Sequence, residues 1–186
     1  MKRFFITLIT ALLFASAAYA APLTFTDTTR FTESGTLESG DLQSYGWGTV
    51  NKLDGIGDNV FWKHFFTFSP PAAQILEGTL RLTLADDEGD IWWNPLTWEI
   101  GFGYAEDGQW DIGAVNTGTY VYGASISALQ DGAFGVTIAS LGGDFFITQS
   151  DLTITYEPVP EPSTILLLAC GLLGIGCFAR RRRTNT

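Results

Sequence analysis

The stretch Thr79-Leu80-Arg81-Leu82-Thr83-Leu84 decides the fold. Leucine recurs at every second position. A strand here turns its leucines towards a core and Thr79, Arg81 and Thr83 towards water. The same period of two recurs in Phe134-Gly135-Val136-Thr137-Ile138 and in Leu152-Thr153-Ile154-Thr155-Tyr156. Further strands are expected over residues 23–31, 42–50, 60–68, 97–104, 119–127 and 144–149. Turn signals separate them: Asp54-Gly55, Pro70-Pro71, Asp107-Gly108, Asp131-Gly132 and Gly142-Gly143. The only helical signal between residues 21 and 157 is a single turn at 72–77. Many short strands with abundant Gly and Thr predict an all-β domain, a single jelly-roll-like β-sandwich over residues 21–157. That length suffices for one domain with its own core.

Both ends speak of export. Lys2 and Arg3 precede an apolar run over residues 4–15, and Ala18-Tyr19-Ala20 has the small-x-small form that signal peptidase accepts. Residues 1–20 are therefore expected to be a signal peptide, with Ala21 the mature start. At the other end, residues 158–163 form a Pro-rich linker in which Pro158, Pro160 and Pro162 oppose both helix and ladder pairing. An apolar run follows over residues 164–179, long enough for a helix across a thin bilayer. Arg180, Arg181, Arg182 and Arg183 then favour a cytoplasmic tip, residues 180–186, with the bulk of the chain on the far side.

The order Pro160-Glu161-Pro162, Gly-rich apolar helix, arginine cluster resembles the PEP-CTERM sorting signal of Gram-negative bacteria. The Leu-Pro-x-Thr-Gly of a sortase signal is absent; a plain membrane anchor after a Pro-rich linker is the simpler alternative. The resemblance implies processing by an exosortase in the inner membrane. It also implies delivery to the cell surface or extracellular matrix, in bacteria that make exopolysaccharide and biofilm.

Composition narrows the partners. Residues 21–157 hold four basic residues, Arg30, Lys52, Lys63 and Arg81, against nineteen acidic ones, a net charge of −15. Such a surface repels nucleic acid and anionic headgroups. Both cysteines, Cys170 and Cys177, lie in the apolar tail, so no disulfide staples the domain.

Two clusters carry candidate chemistry. Asp86-Asp87-Glu88-Gly89-Asp90 crowds hard oxygens into a glycine-containing loop, as calcium requires, and Asp144 follows Gly142-Gly143 on another loop. The metal candidates are Asp86, Asp87, Asp90 and Asp144, and the plain alternative is a solvated acidic turn. Trp92, Trp93 and Trp110 are the candidate glycan platform, since exposed aromatics mark binding surfaces. The plain alternative is core packing. Alternation puts Trp98, Ile100 and Phe102 on one face, which predicts a core position for Trp98.

Catalysis has little in the sequence to support it. His64, the single histidine, shares a face with Trp62, Phe66 and Phe68, which predicts a satisfied, semi-buried imidazole. No nucleophile elbow, zinc spacing or phosphate loop occurs. The resulting expectation is a non-enzymatic binding or structural module. The alternative is a secreted glycosidase using two of the many carboxylates.

Overall fold

The computed structural model describes residues 21–86, 98–159, 168–169 and 171–176. Within them lie eleven strands: β1 (Leu23–Thr32), β2 (Gly35–Thr36), β3 (Leu42–Tyr45), β4 (Lys52–Asp54), β5 (Asn59–Phe65), β6 (Ala72–Asp86), β7 (Ile100–Ala105), β8 (Trp110–Ala114), β9 (Gly118–Ala124), β10 (Ala133–Gly142) and β11 (Asp144–Pro158). They form two sheets. One runs β2-β1-β11-β6-β9, with β4 also paired to β11. The other runs β3-β5-β10-β7-β8. The β-sandwich read from the sequence is what the chain forms.

The alternating runs supply the core. Leu80, Leu82 and Leu84 of β6 are buried, as are Leu152, Ile154 and Tyr156 of β11. Phe134, Val136 and Ile138 of β10 meet them from the other sheet. At one end Phe25, Phe66, Phe68 and Tyr156 stack in sequence, with ring centroids 4.4 Å apart for Phe68 and Tyr156. Every described strand and core residue lies in the compact unit Pro22–Glu157, apart from the Pro158 end of β11.

One polar network crosses this core. Trp62 Nε1 donates to His64 Nε2 at 3.3 Å, which makes Nε2 an acceptor and puts the proton on Nδ1. Nδ1–H then donates to Asp27 Oδ2 at 2.8 Å, and Ser150 Oγ donates to Nε2 at 2.8 Å. Asp27 and Ser150 belong to one sheet and His64 to the other. The imidazole is satisfied, as its surroundings in the sequence suggest, and fully rather than partly buried.

The structure corrects several local readings. Residues 72–77 extend β6 instead of forming a helical turn, because six residues cannot nucleate a helix against the pull of a sheet neighbour. The strand expected over 42–50 stops at Tyr45. Beyond it the backbone is claimed by a side chain: the Asp58 carboxylate accepts the N–H groups of Trp47 at 3.0 Å, Asp54 at 2.9 Å and Asn59 at 2.9 Å. The strands expected at 144–149 and 152–156 are one, β11, which runs on to Pro158, the first residue assigned to the linker. Its buried face shifts phase by one residue between Ile147 and Ser150.

The signal peptide with Ala18 and Ala20, the sorting residues Pro160, Glu161 and Pro162, and the arginines Arg180 to Arg183 lie outside the described residues. Ala21 is exposed just ahead of β1. Residues 168–169 and 171–176 are helical, and among the described residues no helix is long and apolar enough to cross a membrane.

Candidate binding face

The β7–β8 hairpin builds the site. Asp107 and Gly108 make its turn, as their sequence suggests. Gly108 N donates to Ala105 O at 2.9 Å with φ at +82°, a left-handed conformation that glycine adopts without strain. Asp107 accepts from Gln109 N at 3.0 Å and from Ser125 N at 2.9 Å, which ties the turn to the end of β9. Next to this turn Tyr104 and Trp110 stand directly opposite one another.

Which way this pair points follows from its neighbours. A Cβ on Gly101 would meet Val115 and Phe145, so Gly101 faces the core. By alternation Gly103 and Ala105 face inward as well, and Ile100, Phe102 and Tyr104 face outward. Trp110 is 66% exposed and Tyr104 46%. The register continues the row across the sheet, from Trp110 and Tyr104 to Thr137 of β10 and Phe61 of β5. A parallel row holds Ile112, Phe102 and Ala139. With neighbouring strands about 4.8 Å apart, the aromatic row is about 14 Å long.

Trp98 is exposed as well, at 47%, and precedes β7, where the sequence reading placed it in the core. The error has a physical source. On β7 the bulky residues face solvent and the inner face carries glycine and alanine, so hydrophobic alternation points the wrong way. The strand β8 itself was not expected, nor was its pairing of Trp110 with Tyr104.

Of the glycan candidates, Trp110 therefore stands exposed on a sheet face, while Trp92 and Trp93 lie outside the described residues. Of the metal candidates, Asp87 and Asp90 also lie outside them. Asp86 ends β6, with its N–H donating to Thr117 Oγ1 at 3.0 Å. Asp144 opens β11 and forms an ion pair with Lys52. Among the described residues no three metal-ligating side chains converge.

The Asp27–His64–Ser150 chain has the hydrogen bonds of an acid–base–nucleophile relay. Its Ser150 Oγ is sealed, because both His64 and Ser150 are 0% exposed.

Residues 158–183 match the PEP-CTERM protein-sorting motif. The motif implies an exported protein that is routed through the membrane and processed by an exosortase. No curated protein matches the sequence. Solved structures similar to the chain include a family two carbohydrate esterase from Cellvibrio japonicus, at 10% identity over 75% of this chain and 37% of that one, TM-score 0.44. Another is the GH115 4-O-methyl-α-glucuronidase BtGH115A, at 10% identity over 69% and 19%, TM-score 0.36. A third is the GH26-CBM35 β-(1,4)-mannanase of Podospora anserina, at 17% identity over 77% and 29%, TM-score 0.34. The chain spans at most 37% of the length of each, and at these scores none bears on what it does.

Proposed function

We propose that this chain is an exported, non-enzymatic binding module that holds polysaccharide at the cell surface or in the extracellular matrix. The observation that carries the reading is the Tyr104–Trp110 pair, side by side and exposed on the outer face of a sheet. Sugar rings present an apolar C–H face, and burying it on an aromatic ring releases water at little entropic cost to a stiff side chain. A row running on to Phe61 can take successive residues of a chain rather than one terminal sugar. The net charge of −15 over residues 21–157 turns away nucleic acid and anionic lipid, and leaves neutral glycans acceptable. The sorting tail supports the setting, since it takes the module out of the cytoplasm.

The experiment that separates a binder from a glycosidase uses the matrix polysaccharide of the producing organism. Residues 21–157 should bind it saturably and release no reducing sugar. Sugar release that disappears on neutralising one carboxylate, with binding intact, would establish the enzyme instead.

A further inference from the structure

All five residues of β8 are exposed, those facing inward as well as those facing outward. The inward face looks onto a slot of about 260 Å³ between the two sheets. Leu80, Leu82 and Leu84 form one wall, and Val136, Ile138 and Phe145 close the back. The opposite wall is formed by β7 and β8, where Gly103 and Gly113 face inward without side chains on either side of Asp111, and Tyr104 and Trp110 border it.

Nothing among the described residues requires glycine at those two positions. Neither is among the glycines with positive φ, and among the described residues a Cβ built on either meets no atom within 4 Å. A larger side chain at either place would fill the slot and recover the packing contacts that an apolar void forfeits. Gly101, by contrast, is hemmed in, with Val115 Cγ2 at 2.8 Å from its Cβ position. The slot is thus kept open where it could be closed.

Its chemistry limits the occupant. The tyrosine hydroxyls near it are already engaged. Tyr122 OH donates to Asp111 Oδ2 at 3.0 Å, while Tyr120 OH accepts from Asn116 N at 2.8 Å and donates to Asn116 O at 3.0 Å. A sugar would bury hydroxyls against leucine and phenylalanine without partners. Asp111 is exposed where the slot opens under β8, and neither Lys nor Arg is among the described residues that line the slot. An anionic head group there would face a carboxylate in an already acidic domain.

We propose that this slot is a second binding site, which takes the apolar chain of a neutral or cationic amphiphile with its head group at Asp111. It is distinct from the aromatic row, whose side chains alternate to the other face of the same strands, although Tyr104 and Trp110 border the slot as well.

The test uses residues 21–157, which contain all the described core, after their cooperative melting has been checked. 1-Octanol, octylammonium and octanoate are titrated in turn, with the Gly103 and Gly113 amide resonances as the readout. Octanol and octylammonium should saturate at one per domain and shift both amides. Octanoate should bind at least about tenfold more weakly. Gly113→Leu should weaken octanol binding by about tenfold or more while melting no lower than the native domain, and Ile112→Ala, on the outer face of the same strand and not among the slot's lining residues, should leave it unchanged. Gly103→Val fills the slot from the neighbouring strand and should act alike, so misfolding of one variant leaves the other to decide. Unsaturable partitioning of octanol, equal affinity for octanoate, or full binding by a folded slot-filling variant would each overturn the proposal.

Discussion

Ser150 Oγ lies 2.8 Å from His64 Nε2, and this bond joins the two sheets at the centre of the sandwich. Buried as it is, it ties β11 of one sheet to β5 of the other. Ser150→Ala removes one donor and leaves Trp62 Nε1 to satisfy the imidazole, at a cost of about 1–2 kcal/mol. His64→Ala leaves a cavity and strips Asp27 of its buried partner, which should cost about 3–5 kcal/mol. Chemical denaturation of both variants reads these values. Equal stability of His64→Ala and the native domain would remove the network from the fold's supports.

Asp58 is a second support, local rather than central. Its carboxylate accepts three backbone N–H groups and is 2% exposed. Asp58→Ala leaves those donors unpaired, and about 2–4 kcal/mol is the expected loss. For a domain of this length the melting midpoint should fall by roughly 6–15 °C. A fall of less than about 2 °C would mean that water replaces the carboxylate without penalty.

Asp41 gives the stability a pH dependence of defined sign. Burial pushes its carboxyl above the ordinary 3.8, against the hydrogen bond from Thr29 Oγ1 at 2.7 Å, and the nearby Asp27 raises it further. A raised folded pKa means that the folded state holds the proton more tightly. Its contribution is complete below pH 3.8 and is lost as pH rises through the folded value. Asp41→Asn cannot ionise, so its stability relative to the native domain should improve as pH rises from about 4 towards 7. Denaturation curves at several pH values check this, and a difference that is flat or shrinks with pH contradicts it.

Calcium should raise the melting midpoint if the carboxylates of residues 86–90 bind it. At a hundred times its Kd an ion adds about 2.7 kcal/mol, a shift of several degrees here. Because Asp144 is held by Lys52, Asp86→Asn and Asp90→Asn should reduce the shift more than Asp144→Asn. Identical midpoints in CaCl₂ and EDTA would leave those residues a solvated turn.

Strands whose bulky residues face the core could be read from the sequence. Leu80, Leu82 and Leu84 are such a case, because period and burial agree there. The β7–β8 hairpin was harder. Its turn, Asp107-Gly108, was legible, but its inner face carries glycine, alanine and aspartate, so Trp98 was assigned to the core and β8 went unrecognised. Reading Trp110, Ile112 and Ala114 against Asp111 and Gly113 as a period of two would have found the strand, though not which face was wet. The His64 network had no local signal at all. Asp27 is 37 residues from His64 and Ser150 is 86, and only the sheet order brings them together.

Affinity electrophoresis of residues 21–157 through gels containing the producing organism's matrix polysaccharide tests the central claim. The native domain should be retarded in proportion to polysaccharide concentration. Trp110→Ala and Tyr104→Ala should each weaken that retention by about ten- to a hundredfold in Kd, since a lost aromatic anchor removes about 1.4–2.8 kcal/mol. Their melting should match the native domain, because both side chains stand on the outer face. Retention that is absent in the native domain, or undiminished in a folded Trp110→Ala variant, would contradict the assignment of the outer face as the polysaccharide site.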